Sequence, residues 1–146
     1  MPRMDFAKNA PDVYRALVLF HRTAKAGVDQ TIAELVMIRA SQLNHCAFCI
    51  NMHTVDARKA GETEARIYLL NAWEEAGDLY TEKERAALAL TEKITRLSDG
   101  FVPDDVYELA AKHFDEPELA QLIALIVSIN SLNRISVSTR KLPDVR

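Results

Sequence analysis

The sequence predicts an all-α fold, a single-domain, oligomeric bundle of about six to seven helices over residues 1–146, from three observations. All four glycines, Gly27, Gly61, Gly77 and Gly100, follow stretches with helical periodicity, where a left-handed C-cap is wanted. Pro11, Pro103 and Pro117 stand at first helical positions, where a missing N–H costs nothing. No run alternates apolar and polar residues with period two over strand length between Gly or Asn turn pairs.

Taken in order, the first helix is expected from Pro11 to Ala26, with Tyr14, Leu17, Val18 and His21 on one face. The second starts after Asp29 and ends near Leu43; between Ile32 and Leu43 its only charges are Glu34 and Arg39, so it is deeply packed. Those two charges are five apart and cannot pair along one helix face, so each needs a partner elsewhere. The third helix carries both cysteines and runs on to Ala60. A fourth covers about Thr63 to Glu75, with Ile67, Leu70 and Trp73 as its apolar positions. Thr81-x-x-Glu84 is a capping-box pattern and opens a fifth, ending near Ser98. A sixth spans Asp104 to His113, and the last runs from Glu116 or Pro117 to roughly Ser136. Because that last helix is apolar nearly all round from Leu119 to Ile129, it is expected to be buried on every side, inside the monomer or by a second subunit. A homo-oligomer is favoured.

Composition narrows the function classes. The chain has 49% hydrophobic and 27% charged residues and a formal net charge of −3, with no basic block to suit nucleic acid. Met1 to Asp12 lacks the apolar core of a signal peptide, and Leu119 to Ile129 is too short to span a bilayer. A cytoplasmic protein that binds neither membrane nor nucleic acid is the default expectation. In a reducing compartment two cysteines three apart read as catalytic or metal-binding.

The chemistry concentrates in Asn44-His45-Cys46-Ala47-Phe48-Cys49-Ile50-Asn51-Met52-His53. On a helix, at about 100° per residue, Cys46, Cys49 and His53 share a face roughly 60° wide. With Asn44 as N-cap, Cys46 lies in the first turn, where the helix dipole favours a thiolate. Two thiols at this spacing can close a small disulfide, and the imidazole one turn on can move a proton. Glu34, from the preceding helix, can face His53 and raise its basicity; otherwise it serves an ion pair or caps at Thr31. A zinc site on Cys46, Cys49 and His53 and a pair of inert core cysteines are the other readings of the same residues. His45 points away from the reactive face, His21 and His113 suit helix C-termini, and Met37 and Met52 read as core filler. Asn130, Asn133 and Arg134 either line a pocket or fix a subunit contact.

Glu34 followed twelve residues later by Cys46-x-x-Cys49-x-x-x-His53 resembles the core motif of the alkylhydroperoxidase AhpD-like proteins, within the carboxymuconolactone decarboxylase family. Residues 34–42, residues 51–54 and Asn133-Arg134 resemble it too. The resemblance implies an all-helical trimer or hexamer acting as a cofactor-free thiol peroxidase or disulfide reductase, with no metal. Carried onto this chain, Cys49 attacks a hydroperoxide, Cys46 resolves the sulfenic acid to a disulfide, and His53 and Glu34 take the thiol proton. An external dithiol or protein reductant then reduces the pair. The helix dipole favours Cys46 as the more acidic thiol, while the nearness of His53 favours Cys49; the histidine is given precedence. A well-known peroxidase of the family has histidine before its second cysteine, where this chain has Phe48. A non-catalytic zinc or redox sensor and a lactone-decarboxylase-type lyase are the rival functions.

Overall fold

Short-range signals set most of the helix boundaries in the computed structural model, which describes residues 1–145. Asp5 caps a single turn, α1 (Phe6–Asn9), that periodicity was too short to announce. Pro11 opens α2 (Pro11–Ala26), and the Asp29 side chain accepts the Ile32 N–H at the start of α3 (Gln30–Leu43). Then follow α4 (Ala47–Lys59), α5 (Glu64–Leu69), α6 (Glu82–Thr95), α7 (Asp104–His113) and α8 (Glu116–Thr139). Among the described residues there are eight α-helices and no strand. The Thr81/Glu84 capping box is formed, and a second one, Asp115 with Glu118, starts α8.

Several expectations need correction. The fourth helix does not run unbroken to Glu75: α5 passes into a 3₁₀ segment, Leu70–Glu75, broken at Ala72 (φ −126°, ψ 35°). Side chains two apart on a regular helix point about 200° apart. The break lets Asn71 and Trp73 both reach the same half-buried ion pair, Arg39–Glu92. Helix α6 stops at Thr95 rather than Ser98. Gly61, Gly77 and Gly100 have positive φ as expected, but Gly27 does not (φ −91°). What Gly27 supplies is room, since a Cβ there would stand 2.5 Å from Gln121 Cγ. Pro103 is an N-cap, and Pro117 sits one residue inside α8.

The fully wrapped helix is α3, not α8. Every residue from Ile32 through Ser41 is buried. One side of α3 (Ile32, Val36, Met37) enters a core shared with α2, α6, α7 and α8. The other (Leu35, Ile38) enters a second core with Ala57, Leu70, Trp73 and Leu88. A helix with apolar clusters on both sides has no solvent face, and that also explains why its two charges had to find internal partners. Helix α8 packs on α2, α3 and α6 yet leaves Val127 and Val137 exposed at 42% and 46%. By length and composition alone its 24 residues would reach across a membrane, but 44% of its most apolar window is buried inside this fold.

Candidate active site

The reactive segment begins where α3 ends. The His45 N–H donates to Gln42 O and the Cys46 N–H to Ser41 O, while His45 takes the left-handed conformation at φ 53°. This is a Schellman closure with histidine at the position glycine usually fills. Asn44 is therefore the C-cap of α3, not the N-cap of α4. Cys46 takes the N-cap role: it stands just outside α4, and its Sγ accepts the Cys49 N–H at 3.3 Å. The sequence reading missed this because the Asn44 side chain is occupied elsewhere. Its Nδ2 donates to Asn130 Oδ1 (2.9 Å) and Asn133 Oδ1 (3.0 Å) on α8. Asn133 donates in turn to Ser41 Oγ, and Arg134 to Asn130 Oδ1. Asn130, Asn133 and Arg134 thus clamp the α3–α4 corner within the monomer.

Cys46 and Cys49 form a disulfide, and each is only 2% exposed. One turn further along α4, His53 is buried, with Nδ1 3.7 Å from Glu34 Oε2. That is too long for a direct hydrogen bond and short enough for strong electrostatic coupling. Lys25 of α2, a residue the sequence reading did not single out, donates from Nζ to the other carboxylate oxygen, Oε1, at 2.8 Å. Burial pushes the Glu34 carboxyl up, but the facing imidazole and the Lys25 ammonium outweigh it and hold the group below its ordinary range. Both His53 ring nitrogens and Glu34 Oε2 are buried without a hydrogen-bond partner among the described residues. Buried polar atoms of native proteins are nearly always hydrogen-bonded, so these three mark a place for a water or a reacting group.

A cavity of about 650 Å³ opens beside the disulfide. Cys49 and His53 line it, and Cys46 does not. Its other walls are mostly apolar: Tyr14 and Val18 of α2, Phe48 of α4, and Ile129 and Leu132 of α8. Residues near both ends of the chain, among them Phe6 and Leu142, also line it; the Arg3 N–H donates to Thr139 O, and Lys141 Nζ lies 3.9 Å from the Phe48 ring centroid. Met52 is not core filler; it is 38% exposed and lines this space, whereas Met37 is fully buried. Glu34 also borders a polar pocket of about 380 Å³ with Thr31, Glu62, Arg66 and Glu84. Among the described residues no three His, Cys, Asp or Glu side chains converge as a metal-binding group.

His21 is the residue whose place the sequence reading misjudged. It does not serve the C-terminus of α2 but lines the cavity, with its ring centroid 6.4 Å from that of His53. Its Nδ1 lies 2.8 Å from Ser128 Oγ on α8. The available signal was its helical register with Tyr14 and Val18, a polar ring on an otherwise apolar stripe.

Comparison with known proteins agrees with this architecture. The sequence model of the carboxymuconolactone decarboxylase family matches residues 11–93. YdfG of Bacillus subtilis strain 168, an uncharacterized protein, is 44% identical over 137 residues, 93% of this chain and 92% of its own. A crystal structure from Agrobacterium tumefaciens, of a protein of unknown function described as a candidate antioxidant defence protein AhpD, superposes with a TM-score of 0.96 at 33% identity. That match covers 100% of both chains. An uncharacterized peroxidase-related protein from Ralstonia eutropha JMP134, described as an alkylhydroperoxidase AhpD core, has a TM-score of 0.81 at 19% identity. It covers 94% of this chain and 74% of the other, a likeness of fold.

Proposed function

Because this chain belongs to the carboxymuconolactone decarboxylase family, with its redox pair intact, we propose that it is a thiol-dependent peroxidase. Its substrate is a hydroperoxide with an apolar body, taken into the cavity beside Cys49. The supporting observation is the Cys46–Cys49 disulfide set against an apolar cavity whose buried end presents the unpartnered nitrogens of His53.

In the reduced enzyme His53, backed by the Glu34 carboxylate, takes the Cys49 thiol proton through a water. The thiolate attacks the terminal peroxide oxygen; an S–O bond forms, the O–O bond breaks, and two electrons pass from sulfur to peroxide. The leaving alkoxide takes the proton held by His53, so thiol and hydroperoxide become sulfenic acid and alcohol. Cys46 then attacks the Cys49 sulfenic acid, forming the disulfide and releasing water. An external dithiol or a protein reductant restores both thiols. Cys49 is the attacking sulfur because it, and not Cys46, borders the cavity with His53. The exposed apolar side chains Leu19, Phe20 and Val127 are the expected contacts of a homo-oligomer.

The test is hydroperoxide turnover with several candidate reductants, followed by mass analysis of the cysteines. Cys49→Ser should abolish consumption, and Cys46→Ser should leave a trappable sulfenic acid. The rival lyase reading requires no redox dithiol, so turnover that survives Cys49→Ser would end the peroxidase assignment.

A further inference from the structure

The cavity contains a second imidazole that the thiol chemistry leaves without a task. Ser128 Oγ lies 2.9 Å from Leu125 O, a contact in which only the hydroxyl can donate. Its hydrogen is therefore committed to that carbonyl, and toward His21 the oxygen acts as acceptor. The hydrogen bond with His21 at 2.8 Å then requires the proton on Nδ1. Nε2 is left as a bare acceptor, and no described side chain or backbone group bonds to it. Burial first, then the charges on His53 and Lys25 against a smaller opposing effect of Glu34, lower the His21 pKa from 6.5 to about 4. The ring is neutral near pH 7 and remains an acceptor there.

We propose that His21 is a positioning residue for the hydroperoxide: its Nε2 accepts the hydrogen bond from the peroxide O–H and sets the terminal oxygen toward Cys49. This rests on the peroxidase reading and adds a recognition element that it lacks. The two imidazole centroids, 6.4 Å apart with planes tilted by 49°, are too distant for a direct nitrogen-to-nitrogen hydrogen bond. Both rings line the same cavity. Of the other cavity-lining residues of α2, Tyr14 and Val18 present mainly apolar surface and Arg22 adds a cation; the lining as a whole is mostly apolar, a surround that strengthens one well-aimed acceptor. His21 transfers no proton in this scheme, and the electron balance of the thiol step is unchanged.

The experiment compares wild type, His21→Phe and His21→Gln, each fully reduced, in two reactions of Cys49. One is oxidation by tert-butyl hydroperoxide, followed by mass-detected disulfide formation; the other is alkylation by iodoacetamide, which carries no peroxide O–H and reports thiolate availability. His21→Phe should slow the peroxide reaction about tenfold, the worth of one hydrogen bond, and leave alkylation within about twofold of wild type. His21→Gln, which keeps an acceptor, should recover part of the loss. Equal slowing of both reactions, or a peroxide rate unchanged in His21→Phe, overturns the assignment while the peroxidase reading stands. A wild-type protein whose Cys49 alkylates readily but ignores hydroperoxides overturns both.

Discussion

Helix α3 carries two buried charges, and their surroundings differ in one respect. Among the described residues Arg39 leaves no buried nitrogen without a partner: Nε donates to Glu92 Oε1 at 2.8 Å, and Nη1 donates to Asn71 and Gln42. Trp73 Nε1 donates to the same Glu92 oxygen. Glu34, little more than a turn away, has one oxygen held by Lys25 and the other left bare, facing an imidazole with two bare nitrogens. A buried network whose protein groups are all partnered rigidifies a fold; one whose protein groups leave atoms free has places for a water or a substrate group to bind. The same helix therefore has a structural end and a reactive end, told apart by their unsatisfied atoms rather than by their charge.

That contrast can be broken in four ways. The largest effect is expected from Glu34→Gln, which should slow Cys49 oxidation by roughly 10²- to 10⁴-fold. Because Lys25 is 36% exposed and can rehydrate, its unfolding free energy should shift by only about 1 kcal/mol. Wild-type rates in stopped-flow oxidation would remove Glu34 from the mechanism. Glu92→Ala should do the opposite, costing about 2–3 kcal/mol in urea unfolding by removing the carboxylate that Arg39 and Trp73 share, while the folded fraction keeps its specific activity.

Acid sensitivity should come from the reactive end. Between pH 6.5 and about 4 unfolded chains protonate His21 and the native state does not, so stability falls as pH drops through that window. Glu34, whose carboxyl pKa is lowered in the fold, adds stability above its unfolded pKa that is lost further down, as pH falls through the folded value. Urea midpoints measured at several pH values should show a shallower slope in His21→Phe across the first window; an unchanged slope would contradict a neutral, half-buried ring. The smallest effect belongs to Trp73→Phe, which removes one hydrogen bond at the structural end. It should cost about 1 kcal/mol of stability, read from the melting transition, with no change in peroxide rate.

How much was legible in the sequence follows the same division. The need of Glu34 and Arg39 for outside partners could be read from their five-residue spacing and apolar surroundings, and His53 as a neighbour of Glu34 from the closeness of successive helices. The partners Lys25 and Glu92 could not be read, and of His21 only its helix face with Tyr14 and Val18 could, not the cavity that face lines or its bond to Ser128. Ser128 stands 107 residues from His21, and Glu92 stands 53 from Arg39.

By itself the sequence determined most of the helices and the redox motif, because caps, proline positions and the Cys-x-x-Cys-x-x-x-His spacing act within a turn or two of backbone. Pro11–Ala26 and Asp104–His113 end where local signals say they should. Tertiary structure alone decided that α3 rather than α8 is wrapped on all sides. It also drew Asn44 away to α8, left Cys46 to cap α4, and turned His21 into the cavity. Each of those depends on which helix faces which, and side chains with several possible partners take the one that packing brings within about 3 Å.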